Sequence, residues 1–279
     1  MNWREWVVGI LFLAGTGWAQ SPISLQEAET AFQAGQYALA EQLFSAYLRE
    51  RTPTDPGADV AAYRAAESAL NLDAPARALE YLRHPALEAS PLRERAQFRE
   101  AQAHYRLGAI AAAAEEWRRL RSLPDEELAA AAQLGLVWVE IRQEQWKQAQ
   151  RELALYHRMF PLRPEFRTTV ALSGALARLA VLPYRSPERA RWLSTLVPGA
   201  GQAYAGRIGN GLGSFLLNAA WIGLTVRAIV HRRWVDAAIL FVLGSRFYTG
   251  GRENAARFAE EANRRAREAV LAPFRSWEP

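Results

Sequence analysis

The chain has no cysteine and a single lysine, Lys147. Without thiols there is no disulfide, no thiolate nucleophile and no Cys-ligated metal, so the fold must rest on its own packed core. A cysteine-linked lipid anchor is excluded for the same reason. Valine, isoleucine and threonine are sparse, which argues against sheet. The four histidines, His84, His104, His157 and His231, form no H-E-x-x-H motif and no pair at i, i+4. There is no G-x-S-x-G elbow and no Gly-Lys-Ser/Thr phosphate loop. Glu115-Glu116, Glu126-Glu127 and Glu260-Glu261 are adjacent in sequence and so point to different helix faces, as solvated charge does. The expectation is a non-enzyme, with no catalytic residue, no cofactor and no metal.

Half of the 279 residues are hydrophobic, and alanine, leucine, glutamate, glutamine and arginine dominate. These are strong helix formers, so the predicted fold class is all-α, in about two domains. The net charge of +5 is unevenly spread. Residues 189–250 hold seven arginines against Asp236, while residues 1–188 are slightly acidic. The basic part is also the most apolar part. That combination favours anionic lipid over nucleic acid as the electrostatic partner, and no nucleic-acid motif accompanies the arginines.

The N-terminus reads as a signal peptide over residues 1–19. Arg4 precedes a ten-residue apolar run, 6–15 (WVVGILFLAG), and Gly17-Trp18-Ala19 places small residues for cleavage ahead of Gln20. An uncleaved anchor is the alternative. Export implies a bacterial cell envelope, with the following residues outside the cytoplasm.

Residues 20–182 carry a repeat with a period near 36. Gly35-x-Tyr37-x-x-Ala40-x-x-x-Phe44 recurs as Gly108-x-Ile110-x-x-Ala113-x-x-x-Trp117 and, without the glycine, as Trp146-x-x-Ala149-x-x-x-Leu153. Ala78-x-x-x-Leu82 is a weaker copy. Ala28, Ala66, Ala101 and Val137 stand twelve residues before the four alanines. A small residue is needed where two helices cross, and a bulky one a turn later fills the space beside it. The pattern resembles the tetratricopeptide repeat. The resemblance implies about four helix–turn–helix units over residues 25–160, a capping helix at 164–179, and a concave surface that holds a protein or peptide. An irregular helical array with no binding role is the alternative.

Pro183 and Pro187 mark a linker, 183–191. Two apolar stretches follow at 212–230 and 234–248, joined by His231-Arg232-Arg233, with Asn218, Arg227, Asp236 and Arg246 as their polar interruptions. Both are marginal in length for a bilayer. They read as a membrane hairpin within a hydrophobic domain, 192–263, ahead of a tail, 264–279; two buried helices of a soluble domain are the alternative. Gly209-x-x-x-Gly213 and Ala219-x-x-x-Gly223 are spaced for close helix approach.

Residues 193–218 (LSTLVPGAGQAYAGRIGNGLGSFLLN) are similar to a small family of uncharacterised bacterial membrane domains, often found behind signal peptides and tetratricopeptide repeats. The carrying positions are Pro198, Gly199, Gly201, Gln202, Tyr204, Gly206, Arg207 and Asn218, then Tyr248, Gly250 and Asn263. Gly251 stands where the family pattern has Asn, and Ala262 where it has Tyr. The family implies a membrane location and no known activity. Gln202, Tyr204 and Arg207 place polar groups beside apolar helices. They either satisfy the exposed backbone of a broken helix or form a site for a lipid-like ligand, which would suit a membrane-embedded enzyme or transport accessory.

Overall fold

The computed structural model describes residues 24–279 apart from Glu165. The signal-peptide reading therefore lies outside the described residues. Those residues are all-helical, without a strand, and divide into two compact units at Pro161.

The first unit contains four helix–turn–helix pairs. They are α1 (Leu25–Gln33) with α2 (Tyr37–Arg49), α3 (Ala58–Asn71) with α4 (Pro75–Leu82), α5 (Arg93–Arg106) with α6 (Ile110–Leu120), and α7 (Glu126–Arg142) with α8 (Trp146–Met159). Each helix packs on the next, and the first helices of successive pairs also touch. The N-caps are local: Ser24 Oγ accepts from the Gln26 N–H at 3.2 Å, and Asp125 Oδ1 from the Leu128 N–H at 3.0 Å. Ala40, Ala78, Ala113 and Ala149 are fully buried, as are Ala28, Ala66, Ala101 and Val137. Phe44, Trp117 and Leu153, one turn beyond three of the alanines, are fully buried too. The periodic residues are thus the contact residues.

All four pairs use one turn. Residue 35, 73, 108 or 144 takes a left-handed conformation, at φ 72°, 53°, 81° and 59°. The next residue then donates its N–H to the carbonyl five positions earlier, at 2.9 Å in every copy (Gln36 to Ala31, Ala74 to Ala69, Ala109 to His104, Gln145 to Glu140). This satisfies carbonyls that the helix end leaves open. Only Gly35 and Gly108 are the residue type such a turn prefers. Asp73 and Glu144 adopt it against their Cβ, because the buried alanine five residues on holds the crossing.

That conflict is measurable. A left-handed non-glycine residue costs roughly 1–2 kcal/mol, less for Asp, while glycine adds about 0.5–1 kcal/mol of unfolded-state entropy. Glu144→Gly should therefore raise the thermal midpoint by the equivalent of about 0.5–1 kcal/mol, and Asp73→Gly by less. A lowered midpoint for Glu144→Gly would contradict the turn.

The second unit comprises α9 (Phe166–Ala180), α10 (Pro187–Leu196), the short α11 (Ala200–Tyr204), α12 (Ile208–Val230), α13 (Trp234–Leu271) and a closing 3-10 turn, Ala272–Trp277. Residues 164–179, expected as a cap on the repeats, supply α9, which belongs to this unit and packs on α13. The expected linker is shorter than 183–191. Pro187 opens α10 at a position where its missing N–H costs nothing, with Ser186 as N-cap accepting from the Arg189 N–H at 3.2 Å. No break separates 263 from 264, because α13 runs unbroken through both.

The left-handed turn recurs here. Gly206 (φ 85°) precedes α12 and Arg232 (φ 58°) precedes α13. Arg207 donates to the Gln202 carbonyl at 2.8 Å and Arg233 to that of Ala228 at 2.9 Å. Gly211 and Ala237 then occupy the places that the buried alanines hold in the first unit.

Candidate functional site: an apolar hairpin on a polar base

At 23 residues, α12 is ~34 Å long, enough to cross a hydrocarbon core. It is the one helix among the described residues that is both long and apolar enough to do so. Only 11% of its most apolar window is buried, whereas the core helix of a soluble protein hides most of such a window. Leu212, Leu216, Ile222 and Val230 are exposed. The first half of α13 continues the apolar surface with Trp234, Val235, Phe241 and Phe247. That stretch is short by itself; it is the start of a 38-residue helix whose remainder is charged. Isolated exposed leucines are ordinary, but a contiguous apolar surface over two helices is not.

Inside the hairpin, one close contact is made by an aromatic. The Trp221 indole lies on Gly244, where a Cβ would come within 1.8 Å of Nε1. Its N–H donates to the Leu240 carbonyl at 2.7 Å. The spaced glycines Gly209, Gly213 and Gly223 meet nothing within 4 Å. Gly244 makes the close approach within the hairpin instead, and Gly211 makes one outside it, to Gly199 and Ala203. Asn218 is buried, donating to the Ser214 carbonyl at 2.7 Å, while its Oδ1 has no partner.

At the base, α10 and α11 pack on the middle of α13 around the buried Ala190, Ala205, Ala255 and Ala259. Gly199 (φ 95°) has no room for a Cβ, which would fall 2.0 Å from the Gly211 carbonyl oxygen. At Gly201 it would fall 1.9 Å from that of Ala190. The Ser194 hydroxyl accepts from the Gly201 N–H at 3.1 Å and donates to Gln202 Oε1 at 2.9 Å. Gln202 Nε2 donates across to the Gly251 carbonyl at 2.9 Å. Tyr204 Oη accepts from the Ser186 N–H at 3.1 Å, and Tyr248 Oη donates to the Thr195 carbonyl at 2.7 Å. The Asn263 amide and the Arg185 backbone exchange two hydrogen bonds, each 2.8 Å. Arg207 pairs with Glu261 at 3.1 Å and lies over the Phe258 ring. Arg191 grips Glu253 through two bonds of 3.1 and 3.0 Å.

Most signature positions thus serve as fasteners within the second unit: Gln202, Arg207, Tyr248 and Asn263 tie the preceding segments to α13, Tyr204 ties to Ser186, and Gly199 and Gly201 permit close backbone approach. Pro198 sits in the turn before Gly199. Gly250 and Asn218 are exceptions: Gly250 has open space where its side chain would be, and Asn218 bonds only to its own helix. Gln202, Tyr204 and Arg207 do not converge: each is engaged at a different partner. Ser194, Gly211, Gly244 and Glu253 escaped the sequence reading. Their roles depend on helices distant along the chain, and nothing in their local spacing signals it.

The first unit holds a separate titratable group. His104 Nε2 lies 3.8 Å from carboxylate oxygens of Glu100 and Glu116, and the three ligand atoms fall within 4.8 Å of one another. Burial, with Glu100 as the main repelling charge, pushes the Glu116 carboxyl up to about 7. Glu100 and His104 share a face of α5 at i, i+4. Only the fold adds Glu116 from α6.

Comparison with protein-family models, with curated proteins and with solved structures gave no match.

Proposed function

We propose that this protein is a non-enzymatic scaffold of the bacterial envelope. Its first unit is a tetratricopeptide-like solenoid that holds a protein or peptide segment, and its second unit anchors the chain to a membrane through the α12–α13 hairpin. The signal peptide directs export, leaving the repeats in the periplasm or otherwise outside the cytoplasm.

The observation that carries the anchor is the exposure of α12. Its apolar side chains face away from the chain, beside the equally exposed start of α13. Burying such a surface in lipid gains roughly 25 cal/mol for each Å² removed from water. The solenoid reading is supported by the four identical turns and the buried alanines at the sequence period. Tyr63, Phe98, Arg99 and Leu128, from α3, α5 and α7, line a groove of about 210 Å³ suited to a short peptide side chain or two. The membrane-embedded enzyme reading is disfavoured because Gln202, Tyr204 and Arg207 are engaged with Gly251, Ser186 and Glu261.

The test is fractionation of cells expressing the full chain. The protein should sediment with membranes and remain there through alkaline carbonate, which strips peripheral proteins. Recovery in the soluble fraction without detergent would overturn the anchor.

A further inference from the structure

The hairpin tip carries more than a turn. Between the end of α12 and the start of α13 lies an open groove of about 740 Å³. Its walls are apolar, Leu224 and Leu240 among them, and its rim carries Arg227, His231, Arg233 and Asp236. Asp236 engages Arg233 at 2.5 Å. Arg227 has no acidic partner among the described residues, so the rim keeps a surplus of positive charge.

We propose that this groove binds one anionic phospholipid, its phosphate between Arg227 and Arg233 and its upper acyl chain along Leu224 and Leu240. This rests on the anchor reading, because the groove must lie at headgroup depth. Three features select the occupant. The cationic rim stands where the exposed apolar band of α12 ends, which is the boundary between tail and headgroup. Guanidinium groups on long stems reach a phosphate while their methylenes stay on apolar surface. A free phosphate ion would satisfy the rim but leave the apolar walls wet, whereas a phospholipid covers both. Net charge sets the lipid class: a zwitterionic headgroup brings an ammonium beside Arg227, and an anionic one does not.

The test uses the full chain in a mild non-ionic detergent, with bound lipid counted by native mass spectrometry after addition of phosphatidylglycerol or phosphatidylcholine. Phosphatidylglycerol should be retained about tenfold more than phosphatidylcholine. The Arg227→Gln/Arg233→Gln variant should lose that preference, while Arg227→Lys/Arg233→Lys keeps most of it. Arg264→Gln/Arg275→Gln, with the same change in net charge away from the groove, should behave as the parent. Equal retention of the two lipids by the parent overturns the proposal, as does undiminished retention by the folded Gln variant. If that variant misfolds, the parent's lipid preference and the Lys variant decide. Flotation on vesicles separates the two readings. A chain that floats with both lipids but shows no lipid preference by mass spectrometry keeps the anchor and loses the groove, and one that floats with neither loses both.

Discussion

Replacing Gly201 with alanine should dislodge α11 from the base of the second unit. The added Cβ would lie 1.9 Å from the Ala190 carbonyl oxygen and 2.5 Å from Ser194 Oγ. The first of these is backbone within α10 and has no rotamer to yield. Making room means parting α10 from α11, which breaks the Ser194 contacts to Gly201 and Gln202 and with them the tie from Gln202 to Gly251. Overpacking alone costs about 1–3 kcal/mol, and occasionally more. Losing the buried hydrogen bonds places this variant at or above the top of that range. Gly250→Ala is the control, since it meets nothing within 4 Å. In mid-helix it should be neutral or stabilising by up to about 1 kcal/mol. Thermal unfolding of the detergent-solubilised chain, followed by circular dichroism, separates them. Equal midpoints for the two variants would mean that the base is not packed as described.

Trp117→Ala should be the most damaging single truncation in the first unit. Trp117 is its largest fully buried side chain. The ring sits 5.7 Å from that of Tyr105 and 6.4 Å from that of Phe98. Its other side presses on Gly135, where a Cβ would come within 2.5 Å of the indole. Removing so large a group from a rigid site costs about 3–5 kcal/mol, transfer and cavity together. Trp117→Phe should recover much of that. The indole N–H is buried without an acceptor, so losing it removes an unsatisfied donor rather than a hydrogen bond. Urea unfolding of a fragment ending at Pro161 measures both. A cost below about 1 kcal/mol for Trp117→Ala would argue that the α5–α6–α7 core is loose.

Reading from sequence worked where the constraint is local or periodic. The positions of Ala40, Ala78, Ala113 and Ala149 were legible because close helix crossings tolerate only small residues at a fixed distance from a turn. The helix break at Pro198-Gly199 was legible because a proline beyond a helix's first turn and a glycine free to turn left-handed both stop a helix. The left-handed turns at Asp73 and Glu144 were not legible. Neither residue favours that conformation, and the packing of the flanking helices imposes it. The continuity of α13 through 263 was not legible either: the boundary there followed the extent of the family resemblance, which has no bearing on where a helix ends.

By itself, then, the sequence determined helical class, the periodic small residues that are buried and the apolar content of the last two long helices. All of these follow from propensities and spacings along one chain. Only the tertiary structure decided which glycines are contacts. Gly135, Gly201, Gly211 and Gly244 sit against other elements, while Gly209, Gly213, Gly223 and Gly250 face open space, and nothing in their neighbours distinguishes the two groups. It also decided what Gln202, Tyr204 and Arg207 do. A polar side chain beside an apolar helix must find a partner, but which partner it finds depends on the element folded against it, and that element lies about 50 residues away for Gln202 and Arg207.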